Sequence, residues 1–391
     1  MVTDNPHTRV RFGDGLRLPF DPLLAVAALG LMAASLVTLR ASTRTDVTGD
    51  PNYYLTRQGV FFAIGTIAMI VLSRIDYSRL RELKYGIYGL MIFGLLAVAA
   101  FGGVTRGSRR AIQTPFFEIQ ASELGKVLLV VALAAFAVDR ARRLNERDTT
   151  ARLVLVAMVP AMFVMASDLG SGLVFIAILF SVLFVAGVSL RHFAGLLALG
   201  AVSIAIVLTA APALGVTVLK PEQTERLTSF LYPSGDPGDA GYQQNQSRIA
   251  IGAGQKTGRG EQATQTTLDF LPEERTDFIF AVVGERWGFA GAGLILSLYA
   301  LLVWRGLRIL TVAKNLYGAL IAGGIVAMLL FQVFINVGMN VGIMPITGIP
   351  LPLLSYGGSS VITTLLAIGL LQSVYAQGRD AAATKRRGRT F

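Results

Sequence analysis

Between Gly241 and Gly288 the chain reads GYQQNQSRIAIGAGQKTGRGEQATQTTLDFLPEERTDFIFAVVGERWG. This stretch carries Arg248, Lys256, Arg259, Glu273, Glu274, Arg275, Asp277 and Glu285, and it runs straight into an apolar segment at Phe278. A carboxylate at the mouth of an apolar helix can take a proton from a bound hydroxyl, and nearby cations can hold developing negative charge. Together they suit chemistry on a charged amphiphile. The competing role for Asp277 is N-capping of a helix that begins at Phe278, with Thr276 as the other cap.

Three further places put reactive or irregular groups beside apolar runs. In SELGK, Glu123 and Lys126 stand at i and i+3, so on a helix they share a face and can pair or bind one ligand together. Ser122 and Glu123 suit a first turn, but Lys126 lies a turn deeper than a cap requires, and ionisable groups inside a membrane mark function. In ASDLGSG (Ala166–Gly172), Asp168 either caps the next helix or faces a ligand. The run from Met339 to Ser360, MNVGIMPITGIPLPLLSYGGSS, has no charge, and Pro345, Pro350 and Pro352 forbid a continuous helix. Irregular backbone at membrane depth must be buried in protein or line a cavity, so this segment is expected to line a site.

The elements that hold these residues follow from composition. Of 391 residues, 53% are hydrophobic and only 15% charged, where a soluble domain carries about 25% charged residues. The fold class is therefore an all-α polytopic membrane protein, with a single integral membrane domain. Ten spans are expected near 22–39, 58–73, 85–101, 121–138, 153–167, 171–189, 193–212, 278–304, 317–340 and 358–376. The second and fifth read short, and the eighth is interrupted by GERWG (Gly284–Gly288), which puts its membrane start nearer Phe289. With both termini inside, the inside segments hold 21 lysines and arginines and the short outside loops 6, so the termini are expected to be cytoplasmic. The segments outside the spans are then a polar tail at 1–20 without a cleavable signal, a large extracytoplasmic loop at 213–277 and a basic tail at 377–391. Apolar residues in that loop (Ile249, Ile251, Leu268, Phe270, Leu271) argue that it is folded.

Several chemistries are excluded. There is no cysteine and there are two histidines, His7 and His192, which removes thiolate metal sites and makes a histidine-based triad untenable. The net charge of +11 follows from membrane topology, and no nucleic-acid binding is expected. GAGQKTG is spaced GxGxxxG, and Gln255 rather than glycine precedes Lys256-Thr257, so neither dinucleotide nor Walker signature is met. Tight turns account for these glycines.

Taken in order, these motifs resemble the SEDS family (shape, elongation, division and sporulation), the RodA/FtsW family of bacterial peptidoglycan polymerases. SELGK (Ser122–Lys126) is similar to the family's Gln-Pro-Ser-Glu-x-x-Lys, and SDLGSG (Ser167–Gly172) to its Pro-Asp-Leu-Gly-Thr. GYQQNQSRIAIGAG with FLPEERTDFIFAVVGE resembles its large-loop signature, and PITGIPLPLLSYGGSS its last periplasmic motif. LDFLPE and GIPLPLLSYGG are closer to the RodA, or elongation, branch. The departures are Ala121 and Ser167 in place of proline, Ser171 for threonine, Arg275 for a common histidine and Arg286 for a second acidic residue. None of them touches Glu123, Lys126, Asp168, Asp277 or Glu285.

The resemblance implies glycosyl transfer on lipid II in the bacterial cell membrane. The 4-hydroxyl of an acceptor N-acetylglucosamine would attack the anomeric carbon of a lipid-linked chain, in a single inverting displacement with undecaprenyl diphosphate leaving. The Asp of TDFIF, here Asp277, is the essential residue of the family. Lys126, Arg110 and Arg248 would neutralise the diphosphate, and Glu123 would orient Lys126 or, with Asp277, help hold a divalent cation (Mg²⁺ or Mn²⁺). Asp168, Glu285 and Ser355 complete the expected substrate-binding residues, and the 339–360 segment would line a groove for the polyprenyl tail. The implied partner is a class B penicillin-binding protein acting as transpeptidase. A lipid II flippase is the main rival and predicts polar groups reaching through the bilayer. A non-catalytic scaffold is the third reading, and it needs no ionisable Asp277.

Overall fold

The computed structural model describes residues 20–42, 50, 52–105, 108–114, 118–210, 220–231, 239–268 and 270–387. Among the described residues ten apolar helices occur, one at each expected span. They are α1 (Pro22–Ser42), α2 (Tyr53–Arg74), α3 (Lys84–Phe101), α4 (Ala121–Asp139), α5 (Arg147–Met165), α6 (Leu169–Val185), α7 (Leu190–Ala205), α11 (Ile279–Val312), α12 (Leu316–Val341) and α13 (Gly358–Arg387). Among the described residues nine helices are long and apolar enough to cross a membrane, and Leu169–Val185 is a shorter apolar helix. The loop between α7 and α11 supplies α8 (Pro221–Leu231), α9 (Asp239–Gly254) and the single turn α10 (Thr264–Thr267).

Two spans that read short from their apolar runs are full helices. α2 begins at Tyr53 and α5 at Arg147, because polar and charged first turns extend them beyond the apolar window. Pro160 is accommodated inside α5, which neighbouring helices permit in a membrane bundle. The segment after α3 is a departure from the all-α expectation. It forms a small antiparallel sheet of β1 (Gly103–Thr105), β2 (Ser108–Gln113) and β3 (Glu118–Ile119) outside the helical body.

The core is made by α4 and α12, whose alanines and glycines let helix backbones approach. Every residue from Leu129 to Ala137 in α4 is buried. Gly323 and Gly324 in α12 lie against Val185 and Val130. By contrast, no residue of α7 is buried. At the end of the bundle away from the large loop, an ion pair between Asp21 and Arg305 ties the start of α1 to α11, and Gln372 of α13 closes it by accepting from the Asp21 N–H at 2.6 Å. At the opposite end α4, α6, α11 and α13 begin and α12 terminates. All the candidate residues lie there. The tail beyond residue 376 continues α13 to Arg387, while residues 1–19 and 388–391 lie outside the described residues.

Candidate functional site

Gly254 and Gly258 of the large loop work at a junction with α11, whereas Gly252 and Gly260 have open space around them. α11 carries a break at Gly288 (φ 62°, ψ −157°). A Cβ there would collide with the Gly258 amide, and one on Gly258 with the Arg286 carbonyl. Only glycine fits this backbone-on-backbone approach. The break leaves helical N–H groups without partners, and the 255–256 turn supplies them. Phe289 N–H donates to Gln255 O at 2.8 Å and Ala290 N–H to Lys256 O at 3.1 Å. Residues 279–285 on the loop side of the break are all buried, whereas Phe289 is 79% exposed, as a lipid-facing residue would be.

Glu285 belongs to this junction. It is fully buried, and its carboxylate accepts from the N–H groups of Gln265 (2.8 Å) and Thr266 (3.0 Å) and from Thr266 Oγ1 (2.6 Å). Its negative charge sits on the N-terminal turn of α10, where the helix dipole favours it. The carboxylate binds the loop to α11.

Asp277 is held differently. It lies in the 271–278 turn, one residue before the α11 N-cap, which is Phe278. The N-cap position expected for Asp277 or Thr276 is thus occupied by Phe278. The Asp277 main-chain carbonyl accepts from Asn336 Nδ2 at 2.9 Å and Asn340 Nδ2 at 3.1 Å. Both asparagines are fully buried on α12, and both amides do further work. Asn336 also donates to Ile349 O at 2.8 Å. Asn340 Oδ1 accepts the Ala281 N–H in the first turn of α11 at 3.1 Å, and Ser247 of α9 donates to Asn340 O at 2.9 Å. Beneath the turn Ala250, Leu271, Phe278, Ala281, Val282, Met339 and Ile346 form a separate apolar cluster. The loop's apolar pattern is thus partly core: Leu271 is buried, whereas Ile249, Leu268 and Phe270 are exposed.

The uncharged 342–357 segment closes over this turn. Ser355 Oγ donates to Thr276 O at 2.5 Å and accepts the Leu351 N–H at 2.8 Å, and Tyr356 N–H donates to Arg275 O at 2.8 Å. Tyr299 donates to Pro352 O at 2.6 Å, Ser35 to Leu354 O at 2.8 Å and Gln58 to Ser355 O at 3.2 Å. The carbonyls that proline-rich backbone leaves unpaired are thereby satisfied from three helices. Ser355 is buried and serves this structure. Arg275 stacks on Tyr54, 4.5 Å from the ring centre, and Tyr54 packs edge-on to Tyr356. Burial lowers the pKa of the Arg275 guanidinium.

Gly348 marks where charged groups converge. A Cβ at this position would lie 3.6 Å from Asp277 Oδ2 and 3.7 Å from Arg226 Nη1 of α8. The α6 corner abuts the same segment, with Gly170 so close that a Cβ would sit 2.6 Å from Thr347 O. Asp168 caps α6, accepting from Ser171 N–H (3.3 Å) and Ser171 Oγ (2.7 Å), and it is buried.

Glu123 and Lys126 pair at 2.6 Å, and each is 1% exposed. Their helix start is joined to that of α13, where Ser359 Oγ accepts the Gln120 N–H at 3.1 Å and donates to Glu118 O at 2.5 Å. Arg248 extends from α9 across Gly342, with Cδ 2.7 Å from where a Cβ would be. Arg110 lies in β2, and its side chain is outside the described residues.

Sequence reasoning passed over Arg226, Asn336, Asn340 and Gln58. The asparagines had a signal, two amides at i and i+4 in an otherwise apolar helix, where a polar group needs a partner. Arg226 had none beyond its charge. Among the described residues no group of three or more metal-ligating side chains occurs. Of the two carboxylates expected to hold a cation, Glu123 is bonded to Lys126 at 2.6 Å.

Fold and site together define a multi-pass helical membrane protein whose candidate residues and irregular 342–357 segment gather at one end of the bundle. The family model FTSW_RODA_SPOVE, described as "Cell cycle protein", matches residues 18–380. The "Peptidoglycan glycosyltransferase MrdB" of Escherichia coli (strain K12) is 34% identical over 377 residues, covering 96% of this chain and 97% of the relative. "Stage V sporulation protein E" of Bacillus subtilis (strain 168) is 35% identical over 366 residues, covering 92% and 98%. Among solved structures, a chain from "Structural coordination of polymerization and crosslinking by a peptidoglycan synthase complex" superposes with a TM-score of 0.75 at 31% identity, covering 93% of this chain and 99% of that one. The rod shape determining protein RodA of Thermus thermophilus gives 0.64 at 28% identity, covering 93% and 98%. The chain belongs to the FtsW/RodA/SpoVE family.

Proposed function

We propose that this protein is a peptidoglycan glycosyltransferase that polymerises lipid II during cell elongation, with Asp277 as its general base. The observation that carries the reading is the mounting of Asp277: its main chain is clamped by two buried asparagines, and its carboxylate reaches Gly348 beside a guanidinium. The names of the relatives supply the reaction class, and the LDFLPE and GIPLPLLSYGG motifs support the elongation role.

In the proposed step Asp277 takes the proton from the 4-hydroxyl of the acceptor sugar as that oxygen attacks the anomeric carbon of the lipid-linked donor. The bond to undecaprenyl diphosphate breaks on the opposite face, so an α-linked donor gives a β-1,4 product. Lys126, Arg110 and Arg248 are the cations assigned to the diphosphate, with Glu123 aiming Lys126. Because the Glu123–Lys126 pair is buried, Lys126 meets the diphosphate only if substrate entry opens that pocket. A divalent cation, Mg²⁺ or Mn²⁺, would add charge neutralisation at the diphosphate, with Asp277 the carboxylate placed to share it. Asp168, Glu285 and Ser355 hold the walls of the site. The 339–360 segment is assigned to the polyprenyl tail, being uncharged throughout and irregular between its helical ends.

The reading places both termini in the cytoplasm of a bacterial cell and the site on the outer side of the cell membrane, as the lysine and arginine distribution supports. It also assigns a class B penicillin-binding protein as partner, a pairing supported by the likeness to a chain of a peptidoglycan synthase complex. The test is glycan polymer formation by purified wild type and Asp277→Asn given lipid II, the partner transpeptidase and Mg²⁺. Polymer from wild type alone is expected. Polymer from both removes Asp277 as the base. Polymer from neither, with partner bound, returns the flippase or scaffold reading.

A further inference from the structure

The two asparagines fix the Asp277 main chain, but two torsions still separate Cα from the carboxylate. A base must also be aimed, since a misplacement of about 1 Å can cost about a hundredfold in rate. Something must therefore act on the side chain itself.

Arg226 is the group in position. α8 rests on the end of α5, where Gln223 Nε2 donates to Met165 O at 3.3 Å. One turn further on, at i+3 from Gln223, Arg226 is carried to Gly348. Its Nη1 and Asp277 Oδ2 come within 3.7 and 3.6 Å of one point, the place a Gly348 Cβ would occupy. Gly348 has φ +72°, and its missing side chain leaves open the point that both groups border. The neighbouring cation Arg275 stacks on Tyr54 and lies 3.6 Å from Glu274.

We propose that Arg226 is the positioning residue of Asp277, reaching across Gly348 from α8 to hold the carboxylate in the rotamer that meets the acceptor hydroxyl. The proposal rests on Asp277 being the general base. It makes the site composite, because the base comes from the turn before α11 and its guide from a helix some fifty residues earlier.

The test compares full-length wild type, Arg226→Gln, Arg226→Lys, Asp277→Asn and the Arg226→Gln/Asp277→Asn double variant. The assay uses lipid II, the partner transpeptidase and Mg²⁺, and thermal melting monitors the fold. Arg226→Gln is expected to lower kcat by about 10- to 100-fold with KM within about twofold of wild type. Arg226→Lys should recover part of that loss, and the double variant should be no worse than Asp277→Asn. Wild-type kcat in Arg226→Gln overturns the proposal. So does a raised KM at unchanged kcat, which would make Arg226 a substrate-binding cation. A loss that tracks melting and that lysine does not restore would make it structural and overturn it too. If Arg226→Gln does not fold, Arg226→Lys decides, because wild-type kcat there removes the need for guanidinium geometry. An active Asp277→Asn overturns the base reading and this proposal with it, whereas an inactive Asp277→Asn beside a normal Arg226→Gln overturns this proposal alone.

Discussion

Asp277 and Glu285 stand eight residues apart around the start of one helix, and the fold treats them in opposite ways. Glu285 has lost its carboxylate to the protein, with three donors from the α10 turn filling its oxygens in a fully buried position. Asp277 is gripped through its main-chain carbonyl, and its carboxylate is carried to Gly348 at the surface of the turn. The other acidic candidates resemble Glu285, since Glu123 is bonded to Lys126 and Asp168 to Ser171. Acidic residues in a membrane bundle therefore do two kinds of work. A side chain filled by donors of its own loop or helix stabilises the fold, whereas Asp277 is also gripped through its main-chain carbonyl, which fixes where its carboxylate starts.

The comparison breaks first at Asp277. Asp277→Asn should cost about 10²- to 10⁴-fold in polymerisation at an unchanged melting temperature, measured by glycan gel and detergent-phase melting. Next in size is the buried pair. Glu123→Ala strands the Lys126 ammonium and should destabilise by about 3–5 kcal/mol. Glu123→Leu with Lys126→Met should regain that stability. If polymerisation stays lost in the double variant, Lys126 has a part in the reaction as well as in the fold.

Glu285→Ala leaves two buried N–H groups and a hydroxyl without their acceptor, a loss of about 3 kcal/mol in stability. A raised KM for lipid II at normal stability would instead return Glu285 to substrate binding and dissolve the contrast with Asp277. Asn336→Leu removes one of the two amides on the Asp277 carbonyl and should lower kcat by about tenfold with little change in KM. The smallest effect is expected from Asp168→Ala, about 1 kcal/mol as for an ordinary N-cap, with activity following the folded fraction.

The fold was largely legible because membrane spans announce themselves by length and apolarity, properties each segment has alone. The helix break at Gly288 was legible from GERWG, and the irregular 342–357 backbone from its prolines. The small sheet at 103–119 was not, because short strands outside the bundle have no apolar face to give a period. Of the site, the Glu123–Lys126 pair and the Asp168 cap could be read directly, since partners three residues apart are fixed by helix geometry.

Sequence alone thus determined the ten helices, the uncharged segment that cannot be helical and the candidate acids beside them. Tertiary structure decided how each acid is held. The donors that fill Glu285 lie about twenty residues away, at Gln265 and Thr266, and the amides that clamp Asp277 about sixty residues away on α12. Hydrogen bonds act over about 3 Å in space, whereas helical periodicity reports only on neighbours three or four residues along the chain. The partner of a side chain therefore becomes known only once distant segments have packed.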